Sequence, residues 1–279
     1  MTPPRRVDAA RPDAMTDRLA VELLAVARPL AESVGRRLVE SLASARTIGT
    51  KSTSTDLVTE MDTWAEQRLT EGLLAARPDD GILGEEGADI AGTSGVVWSI
   101  DPIDGTVNFV HGMPGFNVSM GARVDGETVA AVVVSPLHGD TFTATLGGGA
   151  ARNDEPIRCS ALTDLRRAVV GTGFGYDPAR RRRQADVLAA VIPQVADVRR
   201  FGAAALDLCW VACGRLDAYW EVGLNDWDHA AGALIATEAG AICTDLDGGP
   251  VTVAFTLAAP PALVEPLRSV LQAADAASV

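Results

Sequence analysis

The stretch Val96-Val97-Trp98-Ser99-Ile100-Asp101-Pro102-Ile103-Asp104-Gly105-Thr106 joins apolar residues to two aspartates three positions apart. Residues 96–100 are typical of a short buried strand, so Asp101 is expected at its carboxyl end and Asp104 on the following turn. Gly105 and Thr106 then offer backbone N–H groups at a predicted helix start, where free donors and the helix dipole favour a phosphate. The alternative, two consecutive ordinary turns, leaves this combination of residues unexplained. The stretch therefore predicts a turn that can hold two metal ions and a phosphate.

A second acidic cluster, Glu85-Glu86, follows the short apolar segment of residues 82–84. Neighbouring side chains on a strand point to opposite faces, so one glutamate can face a metal while the other meets solvent. We favour Glu85 as the ligand, and a solvated acidic loop is the alternative. Hard cations such as Mg²⁺ take oxygen ligands, which a few carboxylates and a backbone carbonyl can supply.

A third acidic element, Asn225-Asp226-Trp227-Asp228, precedes a segment with helical character. Either Asp226 or Asp228 could be the N-cap of that helix. A helix cap requires only one of these two aspartates, so it does not explain the presence of the second. The arrangement therefore predicts that Asp228 completes a metal shell at the helix N-terminus.

In order, spacing and residue identity, three segments resemble the inositol monophosphatase family with its SuhB-type bacterial members. They are Gly84-Glu85-Glu86, then Trp98-Ser99-Ile100-Asp101-Pro102-Ile103-Asp104-Gly105-Thr106-Val107-Asn108-Phe109-Val110-His111, then Trp227-Asp228-His229-Ala230-Ala231-Gly232. Residues 51–62, 202–209 and 214–221 add to the likeness, which spans about residues 20 to 270. Such a three-part match is far more specific than a single glycine-rich loop.

The resemblance implies two or three Mg²⁺ ions in each subunit. Glu85, Asp101 and the carbonyl of Ile103 would hold the first ion, and Asp101, Asp104 and Asp228 the second. A third, weaker ion would contact Glu85 through water. The resemblance also implies inhibition by lithium.

The resemblance also assigns the substrate contacts and the catalytic residues. Phosphate would lie on the amides of Gly105 and Thr106, while Asp62 orients Thr106, which with Glu85 positions the attacking water. The polyol hydroxyls would meet a set of six residues. They are Asp104, Glu221, Asp228, Gly202, Ala203 and Ala204. Ala203 stands where many members carry Ser or Thr, so that contact would be made by backbone alone.

The function implied is Mg²⁺-dependent hydrolysis of inositol monophosphate to inositol and phosphate by direct attack of a metal-activated water. Histidinol phosphate, fructose bisphosphate and phosphoadenosine phosphate are alternative substrates for the same chemistry. The chain contains three histidines and no Ser-His-Asp spacing, which favours direct water attack over a covalent intermediate. A transcription-associated role of the SuhB type is the alternative from another class. The resemblance further implies a homodimer and a five-layer αβαβα sandwich.

Composition limits the other classes of function. The 279 residues carry 24 basic and 37 acidic side chains, a formal charge of −13, which predicts no direct binding to nucleic acid and none to anionic membranes. No stretch approaches the roughly eighteen apolar residues of a membrane span. The basic run Arg180-Arg181-Arg182-Arg183 is either a solvated helix face, a contact for a substrate phosphate at the cleft rim, or a site for an acidic partner. Four scattered cysteines, without Cys-x-x-Cys spacing, favour free thiols in a reducing cytoplasm.

Periodicity predicts an α/β protein in two halves that together form the site. Residues 1–17 lack an apolar core and are expected to be disordered, residues 18–155 form a half with helices and a sheet, and residues 156–279 complete the site. The first half is expected to contain helices at 18–45 and 63–76 and strands at 116–124, 128–135 and 140–145. In the second half, strands are expected at 168–171, 195–201, 216–221 and 241–244, and helices at 180–191, 203–212, 228–239 and 262–274.

Overall fold

The fold is seen in a computed structural model, which describes residues 14–47 and 54–279. The described residues form seven α-helices. They are α1 (Ala14–Thr47), α2 (Ser54–Ala76), α3 (Thr106–Val110), α4 (Pro178–Val191), α5 (Ala204–Ala212), α6 (Asp226–Glu238) and α7 (Pro261–Ala273). They also form thirteen strands in two sheets.

The first sheet has eight strands in the order β2-β1-β3-β4-β5-β6-β7-β8. The strands are β1 (Gly81–Gly84), β2 (Asp89–Ile90), β3 (Val96–Asp104), β4 (Asn117–Val124), β5 (Glu127–Ser135), β6 (Asp140–Thr145), β7 (Gly149–Arg152) and β8 (Glu155–Pro156). β1 lies parallel to β3, whereas β3 to β8 form an antiparallel meander. The apolar run Val129 to Val134 of β5 is buried along its whole length, because helices cover both faces of the sheet.

The second sheet has five strands in the order β10-β9-β11-β13-β12. The strands are β9 (Val169–Thr172), β10 (Asp197–Arg199), β11 (Ala218–Glu221), β12 (Ile242–Thr244) and β13 (Thr256–Ala259). β10, β9 and β11 are parallel, whereas β13 is antiparallel to β11 and β12.

Helices and sheets alternate in five layers, which confirms the predicted αβαβα sandwich. Helices α1 and α2 pack on the outer face of the first sheet, α5 and α6 lie between the sheets, and α4 and α7 cover the second sheet. Three apolar cores fill the gaps between layers. The middle core joins Val133 and Phe142 of the first sheet to Leu208 of α5 and Ile235 of α6, and it holds the two halves together.

Several boundaries differ from the expectation. Helix α1 begins at Ala14, so residues 14–17 are helical rather than disordered, and residues 1–13 lie outside the described residues. Helix α2 begins at Ser54 instead of residue 63, while residues 51–53 of the family-like segment are also outside. The sequence missed β13, because this short run is buried on all four residues and lacks alternation. The division into two halves at residue 155 stays a prediction.

The four cysteines are unpaired thiols, and Cys209 is fully buried in α5, as expected for a small apolar residue. In the described part of the chain, none of the helices has both the length and the apolarity that a bilayer span requires.

Candidate active site

The turn after β3 carries the central acids. β3 continues to Asp104 rather than ending at Ile100, and its register against β4 shifts between Asp101 and Asp104. Such an irregularity bends a strand and redirects its side chains. Asp101 accepts a hydrogen bond at Oδ1 from the Ile103 N–H at 3.0 Å. The two aspartates are thus fixed by strand pairing on one side and by a local turn on the other.

Gly105 makes the change from strand to helix possible. Its φ of 85° and ψ of 40° lie in the left-handed region, and a Cβ there would be 3.0 Å from the Gly115 carbonyl oxygen and 3.1 Å from Ala203 Cβ. Helix α3 follows with five residues, too few for a strong dipole. The N–H groups of Gly105 and Thr106 have no acceptor among the described residues. Free donors, more than a helix dipole, therefore make this turn suitable for an anion.

Asp104 connects the two halves of the chain. Its Oδ2 accepts from Asn117 Nδ2 at 2.8 Å and from the Ala205 N–H at 2.9 Å, and its Oδ1 accepts from the Ala204 N–H at 3.2 Å. Asp104 thus caps α5 from across the fold. The turn Gly202-Ala203-Ala204 lies next to Gly105, as expected, but the Ala204 amide is occupied by Asp104.

Glu85 lies on a loop anchored by a buried glutamate of α2. Glu66 accepts hydrogen bonds from the Glu86 N–H at 2.8 Å and the Ala88 N–H at 3.0 Å. A side chain on Gly84 would overlap the Glu66 carboxylate, so glycine is required there. The sequence reasoning missed Glu66. Glu66 lies one helical turn after Asp62 on the same face of α2, and this spacing could have indicated that both acids face the site.

Asp228 lies in the first turn of α6, where Asn225 is the N-cap. Its Oδ2 accepts from the Asn225 N–H at 2.6 Å, which is half of a capping box. Asp226 instead pairs with Arg123 of β4. Of the two acids, Asp228 is therefore the one near the turn after β3.

The carboxylates repel one another in this arrangement. Burial raises the pKa of Asp101 well above its ordinary value, and the charges of Glu85, Asp104 and Asp228 add to the effect. Burial also raises the pKa of Asp228 to about 7 and that of Asp104 to about 6, although hydrogen bonds from Asn117 and Ala205 limit the rise for Asp104. Burial raises the pKa of Glu85, even though part of this residue is open to solvent.

These acids have the chemistry of a site for hard cations. The carboxyl groups of Glu85 and Asp101 lie close enough for each to affect the pKa of the other. In the arrangement described, no three acidic, His or Cys side chains of residues 14–47 and 54–279 converge tightly enough to enclose an ion.

No hydrogen bond joins Asp62 and Thr106 among the described residues. The Thr106 hydroxyl donates to the Ile103 carbonyl at 3.1 Å. Asp62 is buried in α2, and burial raises its pKa to about 7 with a contribution from the charges of Glu86 and Glu85. Its predicted role in orienting Thr106 stays a prediction.

Glu221 lies at the end of β11, in the second half. Its carboxylate accepts from the Tyr219 hydroxyl and packs against Gly173, where any side chain would overlap it. Burial raises the pKa of Glu221 to about 7, and the Tyr219 hydrogen bond opposes the rise. The charge of Asp104 also raises this pKa, which indicates that Glu221 faces the acids around the turn after β3.

Asn108 is a further residue that sequence reasoning missed. Its Nδ2 donates to the Phe201 carbonyl at 2.9 Å and to the Gly115 carbonyl at 3.2 Å. It therefore fixes α3 against the loop before α5.

A layered α/β fold that brings several carboxylates near a turn with free backbone amides has the groups that metal-assisted hydrolysis of a phosphate ester uses. The chain belongs to the inositol monophosphatase family, whose family model matches residues 20–278. It is 49% identical over 234 residues to inositol-1-monophosphatase SuhB of Mycobacterium tuberculosis, covering 80% of each chain. It is 41% identical over 237 residues to Nus factor SuhB of Pseudomonas aeruginosa, covering 81% of this chain and 86% of the relative. The solved structure of Mycobacterium tuberculosis SuhB superposes with a TM-score of 0.80 at 43% identity, covering 92% of this chain and 98% of that one.

Proposed function

We propose that this protein is a Mg²⁺-dependent phosphomonoesterase that hydrolyses inositol monophosphate by direct attack of water. The observation that carries the proposal is the crowding of Glu85, Asp101, Asp104 and Asp228 beside the free amides of Gly105 and Thr106. Closely spaced buried acids destabilise a fold unless cations neutralise them. The name of the Mycobacterium tuberculosis relative points to inositol monophosphate as substrate.

Glu85, Asp101 and the Ile103 carbonyl would hold one Mg²⁺, Asp101, Asp104 and Asp228 a second, and a third would contact Glu85 through water. Bound Mg²⁺ would stabilise charge on the attacking and leaving oxygens and lower the pKa of water. Asp101 belongs to both ion shells, which agrees with the influence of Glu85, Asp104 and Asp228 on its pKa.

The chain's own groups orient the reactants. The N–H groups of Gly105 and Thr106 bind the phosphate oxygens, and Thr106 with Glu85 positions the attacking water while Asp62 orients Thr106. The Thr106 hydroxyl donates to Ile103, so its oxygen remains able to accept a hydrogen bond from water.

The leaving polyol lies toward the second half of the chain. Its hydroxyls meet the carboxylates of Asp104, Glu221 and Asp228 and the turn Gly202-Ala203-Ala204. Because Ala203 has no hydroxyl and the Ala204 amide already serves Asp104, the carboxylates make most of the polar contacts.

Phosphate release by the purified protein tests the proposal. The panel contains inositol monophosphate, histidinol phosphate, fructose bisphosphate and phosphoadenosine phosphate, each with Mg²⁺ and with EDTA. We expect EDTA-sensitive release that is fastest from inositol monophosphate and inhibited by Li⁺. Asp228→Asn should abolish release, whereas Asp226→Asn, two residues away and paired with Arg123, should retain it. Absence of release from every substrate would refute the proposal.

A role in transcription is the second candidate, because a relative 41% identical is named Nus factor SuhB. Binding of the purified protein to transcription complexes from its own source would test it. Binding that persists in Asp101→Asn would separate this role from the phosphatase activity. We further propose a cytoplasmic homodimer, which size-exclusion chromatography with light scattering would test for its oligomeric state.

A further inference from the structure

Asn117 of β4 is a buried amide that contacts one acid of the candidate active site. Its side chain has no exposed surface, and the residue lies opposite Asp104 in the pairing of β4 with β3. Its Nδ2 donates to Asp104 Oδ2 at 2.8 Å. This bond fixes the orientation of the amide, because the reverse orientation would place Asn117 Oδ1 against a carboxylate oxygen, with an acceptor facing an acceptor.

The other end of the same amide has no partner. Asn117 Oδ1 is buried and accepts no hydrogen bond among the described residues. A buried acceptor without a donor costs stability, so the folding of β4 does not by itself explain an asparagine here. An apolar side chain would avoid that cost. The bond to Asp104 is therefore the contact that accounts for the asparagine.

The hydrogen bonds to Asp104 distinguish its two carboxylate oxygens. Oδ2 accepts two of them, from Asn117 Nδ2 and from the Ala205 N–H at 2.9 Å, whereas Oδ1 accepts one, from the Ala204 N–H at 3.2 Å. Oδ2 is thus the more fully occupied oxygen, and Oδ1 keeps capacity for a further contact. Removal of the Asn117 amide would leave Oδ2 with one backbone donor and open it to ligands as well.

We propose that Asn117 is a positioning residue that makes Asp104 bind its cation through Oδ1 alone, and that this arrangement selects Mg²⁺ against Ca²⁺. The inference rests on the proposed function, in which Asp104 is a Mg²⁺ ligand. Mg²⁺ requires a nearly octahedral shell, which the narrow bite of a bidentate carboxylate distorts, whereas the larger Ca²⁺ accepts both oxygens of a carboxylate in a more flexible shell. Groups that hydrogen-bond a ligating carboxylate fix its orientation, and their loss typically weakens metal affinity by about 10–100-fold.

Isothermal titration calorimetry of the whole chain, freed of metal with EDTA and titrated with MgCl₂ or CaCl₂, tests the inference. Asn117→Ala should raise the Kd for Mg²⁺ by about tenfold or more and change the Kd for Ca²⁺ by less than about threefold, because the freed Oδ2 offers Ca²⁺ a second oxygen. Asn117→Leu keeps the bulk of the side chain without a donor, so it should show the same shift and leave no cavity. Ser135→Ala is the matched control and should change neither Kd. Ser135 is a buried polar residue of the neighbouring strand β5, and its hydroxyl lies 2.9 Å from His138 Nδ1.

The outcomes separate this inference from the proposed function. Equal changes of the two Kd values in Asn117→Ala would overturn it, because a merely structural role affects both cations alike, and unchanged Kd values would overturn it too. Thermal unfolding in EDTA checks the fold, and Asn117→Leu should retain the Tm of the unaltered protein. Failure of the unaltered protein to bind Mg²⁺ would refute the metal dependence and this inference together, whereas Mg²⁺ binding without phosphate release would refute the phosphatase alone.

Discussion

Replacing Glu66 with glutamine should weaken both the fold and the affinity for Mg²⁺. Glu66 accepts two backbone hydrogen bonds from the loop that carries Glu85. Glutamine keeps one acceptor oxygen and turns an NH₂ group toward the second donor, so one N–H loses its partner. An unpaired, partly buried donor costs about 1–3 kcal/mol, which corresponds to a fall in Tm of about 2–5 °C in a chain of this size.

The functional effect follows from the loop that Glu66 anchors. A loosened loop no longer presents Glu85 in one position, and we expect the Mg²⁺ concentration for half-maximal activity to rise about tenfold, equal to about 1.4 kcal/mol. Glu71→Gln is the control, because Glu71 is on the same helix and, among the described residues, pairs with the exposed Gln67 and Arg68 alone. Thermal unfolding in EDTA and a Mg²⁺ titration of phosphate release measure the two effects. Equal behaviour of the two variants would refute the reasoning.

Three further changes have expected outcomes. Asp101→Asn should remove turnover yet raise Tm in EDTA. Because the pKa of Asp101 is raised in the folded state, the wild type loses stability as pH rises above about 4. Thermal unfolding at pH 5 and pH 8 should therefore show that the Tm advantage of the variant grows with pH. Mg²⁺ at about 100 times its Kd should raise the free energy of unfolding by about 2.7 kcal/mol, and a Tm no higher than with Na⁺ of equal ionic strength would contradict a cation site. Gly105→Ala should lose turnover, and it should lose more stability than Gly126→Ala. Both glycines have positive φ, but no atom lies within 4 Å of a Cβ at Gly126. Equal losses of the two variants in calorimetry and in activity assays would argue against a tight turn at Gly105.

The sequence predicted those parts of the site that are continuous along the chain. The stretch from Asp101 to Thr106 lies where a strand gives way to a helix at Gly105, as the sequence indicated, although β3 runs on to Asp104 instead of ending at Ile100. The alternating helices and strands after residue 156 predicted the second sheet for the same reason, because a change of hydrophobic period marks each element.

Contacts between distant residues could not be predicted in this way. The bonds from Ala204 and Ala205 to Asp104 join residues about one hundred positions apart, and an alanine pair carries no sign that its amides need an acceptor. Arg180 likewise resembled its exposed neighbours, since only the packing of α4 against the loop around Gly223 separates it from them. Tertiary packing decides such cases, and periodicity does not report it.

The position of α5 and α6 between the sheets has a consequence during synthesis on the ribosome. The strands of the first sheet emerge early, with Val133 and Phe142 facing a layer that does not yet exist. Until translation has passed residue 238, that face of the nascent chain is exposed and prone to associate with other chains. Asp104 meets the backbone donors of Ala204 and Ala205 only after about one hundred further residues have been made, so assembly of the site waits for the second half of the chain.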